Sequence, residues 1–242
     1  MISIENVHRH YGKKSILNGV TLQIQDGEIF GLLGPNGAGK STLLSILTTV
    51  MKPSEGQVYM NGFDVTKQHK QIRQMIGYVP QDIALWEELT VKENIRLWSK
   101  FIKTKIPKER MIQVCEEVNL HNKWHEKVSQ LSGGMKRKLN IAVALLHDPD
   151  ILLMDEPTVG IDIQSKLEIN EYMKVLAKQG KTIVYTTHDM SEIKGLCSRI
   201  GVLKKGKLTF IGTIETAKAS INNQLNKPII NEEEIIFHLL KD

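Results

Sequence analysis

From residue 2 to residue 33 apolar and polar positions alternate along much of the chain, with a break at Asp26-Gly27. A period of two is what a half-buried strand requires, so this stretch predicts antiparallel strands that lead into the residues after Leu33. Asn61-Gly62 and Lys205-Gly206 punctuate further short strands. From about Leu85 to Asn140 the period lengthens to that of a helix, and LTVKENIRLWSKFI and KERMIQVCEEVNL predict amphipathic helices. Strand character resumes at Ile151, Thr182 and Ile200. Near the C-terminal end Asn231 is placed to cap a last helix, with Glu232, Glu233 and Glu234 in its first turn and Lys241 in its last, an order that suits the helix dipole. Its apolar residues Ile235, Ile236, Phe237, Leu239 and Leu240 are expected to pack on the chain's own body.

Composition narrows the class. At 242 residues and 41% hydrophobic, the chain buries a sizeable core without staples. Cys115 and Cys197 stand apart, with no CxxC or His-rich spacing, which disfavours disulfide and zinc readings and points to a reducing, cytosolic setting. The apolar stretches stop well short of the ~18 residues a spanning helix requires, and MISIENVHRHY is not a secretory signal. A formal charge of +5 raises the question of nucleic acid. The only tight basic cluster, Lys136-Arg137-Lys138, reads equally as a solvated helix face, and no interleaved aromatics form a base-stacking platform, so no nucleic-acid partner is expected.

The chemistry begins at GPNGAGKST, residues 34–42, between the apolar run Ile29-Phe30-Gly31-Leu32-Leu33 and an apolar helical pattern. This is a strand, a phosphate loop and a helix. Gly34, Gly37 and Gly39 allow tight curvature, so that the N–H groups of a loop also containing Pro35, Asn36 and Ala38 converge on phosphate oxygens. Lys40 supplies a positive charge, Ser41 a hydroxyl suited to Mg²⁺, and Thr42 a donor beside the positive end of the helix dipole. Further on, DPDILLMDEPTVGID at 148–162 runs Ile151 to Met154 straight into Asp155 and Glu156. A buried parallel strand with two carboxylates at its C-terminal end faces the ligand crevice of an open α/β sheet. Asp155 is therefore assigned to Mg²⁺ and Glu156 to a hydrolytic water.

Between these stands LSGGMKRKLNIA, residues 131–142, which resembles the signature sequence of ABC-type ATPases. Read from its residues, Ser132 followed by Gly133 and Gly134 is an anion site at a helix start, or simply a helix cap. The resemblance extends to about residue 215 and implies roles for further residues. Tyr11 matches the aromatic that stacks on adenine, and Gln81 in IGYVPQD matches the glutamine that touches Mg²⁺ and water and links the site to a membrane partner. His188 after TIVYTT matches the histidine on the γ-phosphate, and Asp162 the aspartate that crosses the dimer interface. Met135 in place of the usual Gln and Ile161 in place of the usual Leu depart from the pattern.

The resemblance implies an α/β fold of the P-loop NTPase, ABC ATPase type: a mostly parallel core sheet, an antiparallel β subdomain and a helical subdomain. The expected division is an ATP-binding domain at 1–215, with the helical subdomain inserted at about 85–140, and a short helical extension at 216–242. It implies an Mg²⁺-dependent ATPase that pairs head to tail with a second ATP-binding subunit, the same or different, so that Ser132, Gly133 and Gly134 of one copy face the ATP held by the other. Separately encoded transmembrane permease subunits would hold it at the cytoplasmic face of the cell membrane. LSGGMKRKL followed by EPTVGID looks most like the branch serving drug, antibiotic or lipid-like exporters. The alternatives are a soluble ABC-type ATPase that remodels nucleoprotein and a nucleotide-gated switch; the chain repeats neither its phosphate loop nor sustained heptads, and it keeps Glu156.

Overall fold

The computed structural model describes residues 1–187, 192–193, 195–225 and 238–239. Strands β1 (Ile2–Tyr11) and β2 (Lys14–Ile24) form an antiparallel hairpin, and with β4 (Glu55–Met60) and β5 (Phe63–Asp64) they make a four-stranded sheet ordered β2-β1-β4-β5. Strands β3 (Ile29–Leu33), β6 (Ile76–Val79), β7 (Ile151–Asp155), β8 (Thr182–Thr187), β9 (Arg199–Lys204) and β10 (Lys207–Gly212) form the second sheet, ordered β10-β9-β3-β8-β7-β6. It is parallel except for β10 at its edge.

The turn at Asp26-Gly27 does not close a hairpin. It passes the chain from one sheet to the other, because Ile29–Leu33 is a continuous apolar run buried at every position, not an alternating one. The first hairpin turns instead at Gly12-Lys13. Asn61-Gly62 and Lys205-Gly206 do close hairpins, each with both residues at positive φ.

Helices α1 (Lys40–Leu47), α2 (His69–Met75), α3 (Val91–Ser99), α4 (Lys108–Glu117), α5 (Gly133–Ala144), α6 (Ile163–Lys178) and α7 (Ile214–Leu225) complete the described elements. A capping box between Thr90 and Glu93 starts α3. Left-handed Asn119 stops the chain just past α4, earlier than the amphipathic pattern through Leu120 implies. Helix α5 runs to Ala144, past the end of the stretch expected to be helical, and α7 spans residue 215, so the division drawn there falls within one helix. The cap at Asn231 and most of the expected last helix lie outside the described residues.

Alternate residues of β7 and β8 feed two hydrophobic clusters, and a third gathers around Leu33, Ile200 and Val202. Phe30, Leu32, Leu153 and Val184 face α1 and the antiparallel sheet, meeting Leu43, Leu44, Ile2 and Ile4. Leu152, Met154, Ile183 and Tyr185 face the helical layer, meeting Leu139, Ile141, Ile169 and Met173. The register pairs Leu33 with Thr187, Asp155 with Thr186 and Val79 with Met154, so β3, β6, β7 and β8 end at one edge. The loop after Leu33, Pro80-Gln81 and Glu156 all leave the sheet there.

Candidate nucleotide site

The loop after β3 borders a cavity of about 600 Å³ lined by Asn36, Gly37, Gly39, Lys40, Ser41 and Thr42, together with Gln81 and Glu156 from the neighbouring strand ends. Gly34, Pro35 and Ala38 of the same loop do not line it. A Cβ on Gly34 would lie 2.3 Å from the carbonyl of Leu203, so only glycine fits between the loop and β9. Gly39 precedes α1 with a left-handed φ of 110°, and no side chain caps the helix's first N–H groups. Lys40 donates to the carbonyls of Gly34 at 2.7 Å and Pro35 at 3.4 Å, which draws the loop tight around its ammonium. A row of N–H groups at a helix start, a lysine and two hydroxyls fit the phosphates of a nucleotide.

The two adjacent carboxylates have different settings. Asp155 ends β7, buried, and accepts from Thr186 Oγ1 at 2.7 Å. Glu156 takes a left-handed φ of 45°, and its N–H donates to the Thr186 carbonyl at 3.1 Å and to Thr186 Oγ1 at 3.0 Å. This turn breaks strand alternation. Glu156 lines the cavity, with Oε1 3.5 Å from Lys40 Nζ, whereas Asp155 stays behind its wall.

The basic triplet on α5 is not a solvated face. Arg137 is 3% exposed and donates from both terminal nitrogens, to Pro80 O at 2.7 Å and Gln81 O at 2.5 Å. Lys136 pairs with Glu87 at 2.5 Å, and Lys138 pairs with Glu168. Each charge is taken up within the chain because its partner comes from a distant segment, which the run of three cations does not reveal.

Ser132, Gly133, Gly134 and Asp162 do not line the cavity. Ser132 caps α5, accepting from Met135 N at 3.3 Å, and Asp162 caps α6, accepting from Ser165 N at 2.9 Å, which with the Ser165 hydroxyl holds its carboxyl below the usual range. The two helix starts meet: a Cβ on Gly134 would lie 2.0 Å from Ser165 Oγ, while one on Gly133 would find only Gly160 O, at 3.9 Å. The two glycines thus differ, Gly134 serving close packing and Gly133 leaving its side open.

Tyr11 is 47% exposed, donates to Met51 Sδ at 3.1 Å and carries the Arg9 guanidinium 4.8 Å from its ring centroid. It does not line the cavity, but Lys14 and Ile16 of the same hairpin do. His188 lies outside the described residues. Sequence reasoning passed over Thr186 and Lys14, and met Arg137 only as part of the basic cluster. It also passed over Glu192, a buried carboxylate that accepts from Thr187 Oγ1 and Tyr185 OH, bonds Thr158 and pairs with Lys166 at 2.7 Å. Polar residues in apolar surroundings give no periodic signal.

A family model described as "ABC transporter" matches residues 17–159. The linearmycin resistance ATP-binding protein LnrL of Bacillus subtilis (strain 168) is 44% identical over 215 residues, 88% of this chain and 69% of that protein. The Nod factor export ATP-binding protein I of Burkholderia orbicola (strain AU 1054) is 40% identical over 208 residues, 85% of this chain and 68% of that one. Among solved structures, the dimeric post-hydrolysis state of the ATP-binding cassette MJ0796, bound to ADP and Pi, superposes with a TM-score of 0.78 at 31% identity, covering 88% of this chain and 98% of its own.

Proposed function

The chain belongs to the ABC transporter family as an ATP-binding, ATP-hydrolysing subunit, and from that premise we propose that it powers an exporter by closing head to tail with a second such subunit around two ATP molecules. The export and resistance roles of its relatives support that direction. The observation that carries the split site is the separation of its halves: the loop, Gln81 and Glu156 share one cavity, whereas Ser132 and Gly133 stand at a helix start outside it. In a two-fold pair the patch that receives Ser132 is the patch the other copy presents, so both sites are completed at once. Asp162, beside Gly134, lies against that interface in this reading.

Within the site, Gly34, Pro35, Asn36, Gly37, Ala38, Gly39 and Thr42 form the phosphate cradle, Lys40 neutralises the β- and γ-oxygens, and Tyr11 meets the adenine. Glu156 takes a proton from the attacking water as its oxygen bonds to the γ-phosphorus and the bond to the bridging oxygen breaks, giving ADP and phosphate; His188 contacts the γ-phosphate. Among the described residues no cluster of three His, Cys, Asp or Glu side chains can hold a metal. The oxygen donors Ser41 and Gln81, with Asp155 behind them, suit a hard cation that keeps several waters, and Mg²⁺ so held supplies charge neutralisation. No described helix is long and apolar enough to cross a membrane. Separately encoded permease subunits would hold the protein at the cytoplasmic face of the membrane, with Gln81 and the helices after Trp86 receiving them.

Glu156→Gln is the test. It keeps the side chain's size and removes the carboxylate's charge and basicity, so the variant is expected to accumulate as an ATP-bound dimer by size-exclusion chromatography with light scattering, with turnover lowered at least about a hundredfold. Wild-type turnover without dimer at saturating Mg-ATP sinks the reading.

A further inference from the structure

Burying a guanidinium is costly unless its charge is met by hydrogen bonds. The two terminal nitrogens of Arg137 grip successive carbonyls, Pro80 O and Gln81 O, of the loop leaving β6. Asn140, one turn further along α5 and also buried, accepts from Ala84 N through Oδ1 at 3.3 Å. The backbone of residues 80–84 is therefore fastened to α5 at both ends. Asp82 is the carboxylate whose charge supports the guanidinium. Five residues separate Arg137 from Ser132, about 7.5 Å along the helix axis.

We propose that Arg137 is a positioning residue that couples the two ATP sites of the dimer: it joins Gln81, in the wall of this chain's nucleotide cavity, to Ser132, presented by the same helix to the other chain. The proposal rests on the split-site reading above. A guanidinium fork making two parallel bonds fixes angle as well as distance, so a shift of the 80–82 backbone turns the helix that carries Ser132. Nucleotide engaged by Gln81 on one side then changes how the signature residues meet nucleotide on the other, and the coupling runs equally in reverse. Lysine cannot replace this function, since an ammonium is a point charge without the fork.

The experiment compares wild type, Arg137→Lys and Arg137→Gln as full chains, measuring ATPase rate against ATP concentration, ATP binding to the monomer and thermal unfolding. With coupling through Arg137, wild type gives a Hill coefficient above about 1.5, of the two possible for two sites. In both variants it falls to about 1, while monomer affinity for ATP stays within about twofold. A purely structural role lowers the melting temperature and the maximal rate but leaves the Hill coefficient unchanged, and that result overturns the proposal, as does a wild-type coefficient of 1. Should both variants fail to fold by circular dichroism, Asn140→Ser, which loosens the other end of the same loop, is read by the same criterion. Glu156→Gln run in parallel separates the two levels: if it dimerises with ATP, the split-site reading stands whichever way Arg137 turns out, and if it does not, that reading falls and the coupling with it.

Discussion

Lys40 Nζ lies 3.5 Å from Glu156 Oε1, with the two side chains 5% and 8% exposed. The pair bridges the loop after β3 and the end of β7, two strands that are not neighbours in the sheet because β8 runs between them. The ammonium also holds the Gly34 carbonyl, so one cation sets both the curl of the loop and the position of the carboxylate.

Lys40→Ala is expected to weaken ATP binding at least about tenfold, as losing charge-assisted bonds worth about 1.5–3 kcal/mol implies, and to abolish ATPase activity. It also leaves the Glu156 carboxylate without this buried partner, so the melting temperature drops while far-UV circular dichroism keeps the wild-type shape. Isothermal titration with ATP checks the first expectation. A folded variant that hydrolyses ATP near the wild-type rate removes Lys40 from its assigned role.

Much of the site was legible because its chemistry is written locally. Glycines at 34, 37 and 39 followed by Lys40 mark a loop whatever surrounds it, and Ile151 to Met154 ending in Asp155-Glu156 marks a strand entering a crevice. What sequence could not reveal depends on segments far apart. Arg137 is buried because carbonyls more than fifty residues away meet it, and nothing in Lys136-Arg137-Lys138 separates it from its paired neighbours. Helix α2 escaped notice because HKQIRQM buries only Ile72, too little for a periodic signal. Asp26-Gly27 turns the chain as expected, but which sheet the next strand joins is decided by burial on both faces of Ile29–Leu33.

Glu192 ties three segments together beneath the site: Thr158 after Glu156, Thr187 at the end of β8, and Lys166 on α6. At 2% exposure its carboxylate is tolerated only because those partners take up both oxygens. Glu192→Ala removes one ion-pair partner of Lys166 and an acceptor shared by the Thr158, Tyr185 and Thr187 hydroxyls, and is expected to cost roughly 3–5 kcal/mol in urea unfolding. Glu192→Gln, which keeps most of the bonds, costs less. Equal stability of all three proteins contradicts the network.

His147 gives a pH dependence with a definite sign. Its Nε2–H donates to Ile76 O at 2.9 Å, and burial lowers its pKa, opposed by that backbone contact and by Asp148 and reinforced by Lys181 and Arg110. The folded state disfavours the charged ring, so below about 6.5 the unfolded chain takes up protons that the native one refuses. Stability from this group is complete above that value and is lost as pH falls through it. Between pH 7.5 and 5.5 the melting temperature of wild type should drop more than that of His147→Gln. Parallel curves for the two proteins rule this group out as the source.

Thr186 serves both carboxylates, and its removal separates their duties from those of the fold. Its Oγ1 donates to Asp155 at 2.7 Å and accepts from Glu156 N at 3.0 Å, while its carbonyl accepts from the same N–H at 3.1 Å. Thr186→Val keeps the shape of a fully buried side chain and deletes only the hydroxyl. The Glu156 N–H retains the carbonyl, so the left-handed turn that aims Glu156 into the cavity persists. Asp155 loses the donor that orients it, at a cost of about 1–3 kcal/mol in stability. If Asp155 supports Mg²⁺ from behind the cavity wall, the Mg²⁺ concentration for half-maximal ATPase rises by roughly tenfold, the equivalent of one such bond. The rate at saturating Mg²⁺ falls much less, because Glu156, the proposed base, is still in place. An unchanged Mg²⁺ requirement with a collapsed maximal rate reverses the assignment, making Thr186 a support of Glu156 and leaving Asp155 a structural cap on the end of β7.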